Sequence, residues 1–203
     1  MLAAVEWIAV RRLAALLKTA SGAAIAEFAV ALPLLIVLVV GIFDFGGAFN
    51  LKQELNNLAR QGARFGAAQP TNDLCTACAA PPSVDAIRYL VDSYLTTAKI
   101  NDCGLNIAAL PTTGPPWSYT AATDCGGTLT LTIARDASAG VASPTCLLTM
   151  NNYGGATVYA PCTEVIIQYP YQWRFDNVIQ LISPGTHFLL STIQTNATAT
   201  NQD

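Results

Sequence analysis

The sequence predicts an α+β protein: a long N-terminal helix, part membrane span and part amphipathic stalk, followed by a small disulfide-stapled domain with an antiparallel sheet. Three observations carry that reading. Residues 29–43 contain no charge, and with residues 23–28 they give about 20 residues, roughly 30 Å of helix, which matches a bilayer's hydrocarbon core. All six cysteines follow that stretch. Beyond residue 101 helical spacing gives way to strict alternation, clearest in Thr-Leu-Thr-Leu-Thr-Ile-Ala at 128–134, the pattern of a strand buried on one side.

Composition narrows the function. The chain is 52% hydrophobic and 11% charged, with a net charge of −3, and no Lys/Arg stripe marks a nucleic-acid surface. Setting aside the first 70 residues leaves about 130, enough for one core. The expected divisions are a leader at 1–22, a transmembrane helix and stalk at 23–69, and an extracytoplasmic α+β domain at 70–203.

The leader carries Arg11, Arg12 and Lys18 against Glu6. Basic residues on one flank of a span keep that side in the cytoplasm, so the C-terminal domain is expected outside. Trp7, Val10, Leu13, Leu16 and Leu17 recur at helical spacing; the leader either lies on the membrane surface or serves only as a basic topology signal. Gly46 and Ala48 offer a small-x-small site whose cleavage would free a soluble domain. The long apolar run, with Asp44 and two phenylalanines near its end, counts against that.

Two residues stand out within the span. Pro33 removes a backbone donor and should kink the helix, a defect best tolerated where neighbouring helices repair it. An ionised acid at the bilayer centre costs about 2.5–3.5 kcal/mol, yet Glu27 sits near the start of the span. It is either an interfacial acid favoured by the helix dipole or a charge whose cationic partner comes from another chain.

After Asp44 the helix turns amphipathic. Phe45, Leu51, Leu55, Leu58 and Phe65 recur at helical intervals, with Lys52, Glu54, Arg60 and Arg64 between them. Gly46-Gly47 can bend the join, and the helix should run to about residue 68. The result is a rod of roughly 45 residues, near 70 Å, whose apolar stripe needs cover from the following domain or from a neighbour.

Residues 70–82 read as a loop holding Cys75 and Cys78. Without a strand-to-helix context or a second Cys-x-x-Cys, this motif reads as a structural disulfide rather than a redox or zinc site. Sequence does not choose among pairings; pairing of neighbours (Cys75–Cys78, Cys103–Cys125, Cys146–Cys162) is the expectation, in an oxidising compartment. Ser83 or Asp85 can cap a second helix with Val84, Ile87, Val91 and Leu95 on one face and Arg88, Asp92 and Lys99 on the other. Further strands are expected at 146–150, 164–175 and 187–195. Pro170 marks the second of these as an edge strand or a bulged one. A turn of helix is expected at 177–182, and a frayed tail at 196–203.

Catalytic motifs are wanting. His187 is the only histidine, and no nucleophile elbow, phosphate loop or metalloprotease helix occurs. No enzymatic activity, metal or cofactor is expected.

Gly22-Ala-Ala-Ile-Ala-Glu27-Phe28, then Ala-Val-Ala-Leu-Pro33, then Gly41-Ile-Phe-Asp44-Phe45-Gly46, then Ala59-Arg60-Gln61-Gly62-Ala63-Arg64 form an ordered series. It resembles the TadE-like pseudopilins of the tight-adherence (Flp-type IVb) pilus system. The resemblance covers residues 21 to about 68; the C-terminal domain shares only texture, and six cysteines exceed what the family leads one to expect. Phe28 stands where major Flp pilins usually have Tyr, and the large domain also argues against a major pilin. The resemblance implies a bacterial cytoplasmic-membrane protein, crossing once with its N-terminus in the cytoplasm, with an extracellular pilus as the alternative location. A prepilin peptidase would cut after Gly22, leaving Ala23 as N-terminus and Glu27 as fifth residue. Its partners would be the membrane, that peptidase and other pilins bundled through this helix. Two alternatives remain: a permanently anchored envelope protein whose outer domain binds a ligand or surface, and a domain released at Ala48.

Overall fold

The computed structural model describes residues 20–75, 78–135, 146–151, 157–173, 185 and 191–201. The leader at 1–19, the turn of helix expected at 177–182 and His187 lie outside them. The elements are α1 (Ala20–Ala67), α2 (Pro82–Thr97), a 3₁₀ turn (Leu105–Ile107), β1 (Trp117–Ala121), β2 (Leu129–Arg135), β3 (Leu147–Asn151), β4 (Thr157–Tyr171) and β5 (Ser191–Thr200). They divide into two compact units, the first holding described residues 20–46 and 185, the second 47–173 and 191–201.

Helix α1 runs for 48 residues without a break at Pro33 or at Gly46-Gly47. Its second half explains why the glycines do not end it. Leu55, Leu58, Ala59, Ala63 and Ala67 are buried, so tertiary packing outweighs the roughly 1 kcal/mol that each mid-helix glycine costs. Of the apolar stripe read from the sequence, Leu55 and Leu58 are thus buried by the domain that follows and Leu51 and Phe65 pack half-buried against it, while Phe45 is exposed.

That domain is a helical layer on one face of an antiparallel sheet. β2 and β5 both pair with residues 163–168 of β4 and therefore flank it, β1 pairs with the other side of β2, and β3 pairs with residues 157–161 of β4. Register aligns the inward side chains in rows. Trp117, Ile133, Val165 and Ala197 form one row, and Tyr119, Leu131, Ile167 and Thr195 the next. All but Ala197 are buried, the period-two result expected of a sheet with one covered face. The helix layer supplies Leu55, Leu58, Val84, Ile87, Val91 and Leu95 to the same core.

The structure departs from expectation in five places. β1 went unread, because Trp-Ser-Tyr-Thr-Ala is short and follows Pro115-Pro116; its alternating burial appears only once β2 lies beside it. Residues 196–200 form the end of β5 rather than a frayed tail, each paired with β4. Sequence showed their polarity, but the ladder comes from β4. β4 spans Thr157–Tyr171, beginning earlier than expected, and it is central rather than an edge. Pro170 is tolerated because the β2 pairing has ended at Gln168, leaving only β5 beside it.

α2 begins at Pro82, with Pro81 as N-cap and no side-chain cap. Ser83 is not the cap. Its backbone N–H and its hydroxyl both donate to Asp73 of the preceding loop, each at 2.9 Å, so an anion from outside the helix satisfies the first turn. Arg88, expected on the polar face, is buried. It donates to Asp85 at 2.6 Å and to the carbonyls of Leu105 and Asn106 at 2.8 and 2.7 Å, and it lies over the Tyr89 ring. An arginine enters a core when each donor finds an acceptor, which helical periodicity cannot reveal.

Three disulfides hold the domain: Cys75–Cys78, Cys103–Cys125 and Cys146–Cys162. The second and third close loops with separations of 22 and 16 residues, each worth about 3 kcal/mol on a chain-entropy argument.

Candidate assembly helix

The first half of α1 is exposed and largely apolar on every side from Ala23 to Ile36. From 37 to 48 it keeps one stripe (Val37, Val40, Gly41, Asp44 and Ala48) half-buried or buried while the other sides stay bare. Among the described residues, thirteen of the sixteen large exposed apolar side chains lie between Ile25 and Phe49, with Val30 at 80% and Leu34 at 74% exposure. Leaving one such side chain in water forfeits about 1.5–3 kcal/mol. Thirteen together exceed the 5–15 kcal/mol that typically stabilises a domain. Water is therefore the wrong surrounding for this segment. It is the one helix among the described residues long and apolar enough to cross a membrane.

Within it, Ala23, Glu27 and Phe28 are exposed and Gly22 is half-buried. Ala23 and Glu27 are four residues apart, hence on one face one turn apart. Ala26, Glu27, Val30, Ala31 and Leu34 line an open, almost wholly apolar groove, with the carboxylate its one charged group among the described residues. Pro33 is exposed in the same half. Asp44 differs: it is only 4% exposed, while Phe43 and Phe45 beside it are 75% and 69% exposed. In Gly41-Ile-Phe-Asp44-Phe45-Gly46 the acid is covered and the aromatics are bare, the reverse of what polarity predicts.

The series at 59–64 has a packing logic. Ala59, Gly62, Ala63, Gly66 and Ala67 are buried along one side of α1, and Arg60 and Arg64 are exposed. A Cβ on Gly66 would stand 2.6 Å from Ile87 Cδ1 and 2.7 Å from Thr163 Cγ2. Only glycine lets α1 approach α2 and β4 this closely. In the sequence this series stood only as part of the family resemblance, and neither its packing role nor the place of Gly66 in it was read there.

Arg135 was likewise missed. Fully buried at the end of β2, it donates to Thr163 Oγ1 at 3.1 Å, to Ser83 Oγ at 2.7 Å and to the carbonyls of Gln69 and Pro70 at 2.9 and 3.4 Å. The last two lie just past the C-terminus of α1, where a cation is favoured. This side chain thus ties the stalk's end to the sheet and to the start of α2.

Ionisation in the domain reflects burial. Burial opposes the charge on Arg88, but the hydrogen bond and proximity of Asp85 outweigh it and raise the pKa. Tyr119 and Tyr169 are pushed up, first by burial and then by the nearby Asp85 and Asp102 respectively. Asp92 is raised by burial and by the facing carboxylate of Asp102, with Arg88 pulling the other way. No set of three or more His, Cys, Asp or Glu side chains among the described residues is placed to hold a metal, and all six cysteines are in disulfides.

These features centre on α1, and so does the comparison with known families. Residues 22–64 match the family model of the TadE-like proteins. The match begins at Gly22, ends at Arg64 and leaves the sheet domain outside it. No curated protein and no solved structure matches the chain. A TadE-like segment on a bare apolar helix fits a pilin-like protein of the Tad system, whose family comprises structural pilus components. One apolar helix near the N-terminus fits single-pass membrane anchoring.

Proposed function

We propose that this chain is a minor pilin or pseudopilin of a Tad (Flp-type IVb) pilus assembly system, anchored by the first half of α1 and polymerising through it. A prepilin peptidase removes residues 1–22, so that Ala23 carries the new N-terminus. An α-amine is largely protonated at neutral pH, and in an apolar bundle it seeks an anion. Glu27 of a neighbouring subunit supplies one, which sets the axial register as helices stack. The disulfide-bonded domain stays on the extracytoplasmic side, where thiols oxidise.

The observation that carries this reading is the bare apolar surface of α1 with Glu27 set within it. N-terminal sequencing of the protein recovered from cells is the direct test. The expected start is Ala23; an intact Met1 indicates permanent anchoring without maturation, and a start at Phe49 indicates a released domain. Gly22→Leu should abolish maturation, and normal processing of that variant would remove the peptidase from the account. Glu27→Val should keep membrane insertion yet lose incorporation into filaments, measured in sheared pilus fractions. Wild-type incorporation would remove the pairing role of the acid.

A further inference from the structure

Along the path β1–β2–β4–β5 the end strands β1 and β5 have no further partner strand among the described residues, and β3, paired only with residues 157–161 of β4, is a shorter third strand with one open side. Every pairing on that path is antiparallel, so the four strands alternate in direction and its two edges run opposite ways. β5 is ten residues long, reads Ser-Thr-Ile-Gln-Thr-Asn-Ala-Thr-Ala-Thr, and pairs with β4 in unbroken register from Cys162↔Thr200 to Tyr171↔Ser191. It contains no charge, no proline and no bulge, the devices by which exposed edges are normally kept from pairing. β1 is likewise uncharged, and its outward side chains Ser118 and Thr120 are exposed like Thr192, Gln194, Asn196 and Thr198 of β5.

We infer that β5 is a docking edge for β1 of a second copy of this chain, held in the same orientation. Strand direction selects this occupant. Copies standing side by side with common polarity bring a β5 running one way against a β1 running the other, so an antiparallel ladder forms with both helical layers on the same side. An antiparallel β5–β5 pair would reverse one copy, together with the part of α1 that packs on its sheet. A parallel β5–β5 pair would turn one sheet over and put the helical layers on opposite sides. Neither edge brings a charge to repel the other, and outward Ser, Thr, Gln and Asn side chains suit cross-strand hydrogen bonding. Such a contact is heterologous, with different surfaces on the two copies, and repeats into a row rather than closing as a dimer. The requirement for common polarity rests on the proposed anchoring of all copies in one membrane.

The test is cross-linking of the full chain in intact cells. Two differently tagged copies are co-expressed, one carrying Ser118→Cys and the other Gln194→Cys or Thr198→Cys, and mild oxidation is followed by non-reducing electrophoresis and membrane fractionation. The expected result is a mixed dimer band for at least one pair, no band when either variant is expressed alone, and loss of the band when the β5 copy also carries Asn196→Lys. A mixed band that survives Asn196→Lys, a dominant band from a β5 variant alone, or membrane-bound chain with no mixed band overturns the edge contact and leaves anchoring intact. A mixed band from chain in the soluble fraction keeps the edge contact and overturns the anchoring.

Discussion

The two halves of α1 are one helix in two solvents. Between Ile25 and Phe49 large apolar side chains stand bare, while between Leu55 and Ala67 the covered side is made of two leucines followed by alanine and glycine. The contrast shows what each half must meet. Against lipid or other apolar helices bulky side chains can point anywhere, because all directions are equally apolar. Against a folded sheet the backbone must come close, so side chains shrink where the helix meets β4 and α2. Hydrophobicity separates the halves along the chain; the size and placement of the covered side chains show what the second half meets.

Three changes break or sharpen that contrast. The largest effect is expected from truncating equivalent leucines. Leu58→Ala should destabilise the domain by about 2–5 kcal/mol, whereas Leu34→Ala should leave its unfolding unchanged, both followed by denaturant titration of the full chain in detergent. Equal effects would mean that the halves share one core.

Gly66→Ala comes next. Its Cβ would meet Ile87 and Thr163 well inside contact distance, and overpacking of this kind costs about 1–3 kcal/mol. Gly46→Ala, with open space around it, serves as the control and should be neutral or slightly stabilising. A stable Gly66→Ala variant would show that the helix can retreat from the sheet.

The smallest effect concerns pH. The folded domain raises the pKa of Asp92 by burial and by Asp102, so it holds that proton to higher pH than the unfolded chain does. The contribution is fully present below the unfolded value of about 3.9 and is lost as pH rises through the raised folded value. Asp92→Asn should therefore flatten the decline in thermal stability above about pH 4 and make the domain more stable at neutral pH. An unchanged slope, or a less stable variant at neutral pH, would show that the carboxylate earns more from its surroundings than burial takes away.

Much of the fold was legible because it depends on short-range pattern. The continuous apolar run, the alternation of β2 and the buried face of α2 at Val84, Ile87, Val91 and Leu95 are all periodic, and periodicity survives in one dimension. What escaped depends on partners distant in sequence. β1 needs β2 beside it, the tail becomes β5 only because β4 offers a ladder, and Arg88 and Arg135 enter the interior because carbonyls and hydroxyls from several segments converge on them.

The candidate site divides in the same way. By itself the sequence determined that an acid lies near the start of an apolar helix and that the series at 59–64 follows it in order, since these are matters of order along the chain. Only the tertiary structure decided that Asp44 is covered while its flanking phenylalanines are bare, that Gly66 is the point of closest approach, and that the two sheet edges run in opposite directions. Those properties arise from which surfaces meet, and no local pattern encodes a meeting of segments that lie dozens of residues apart.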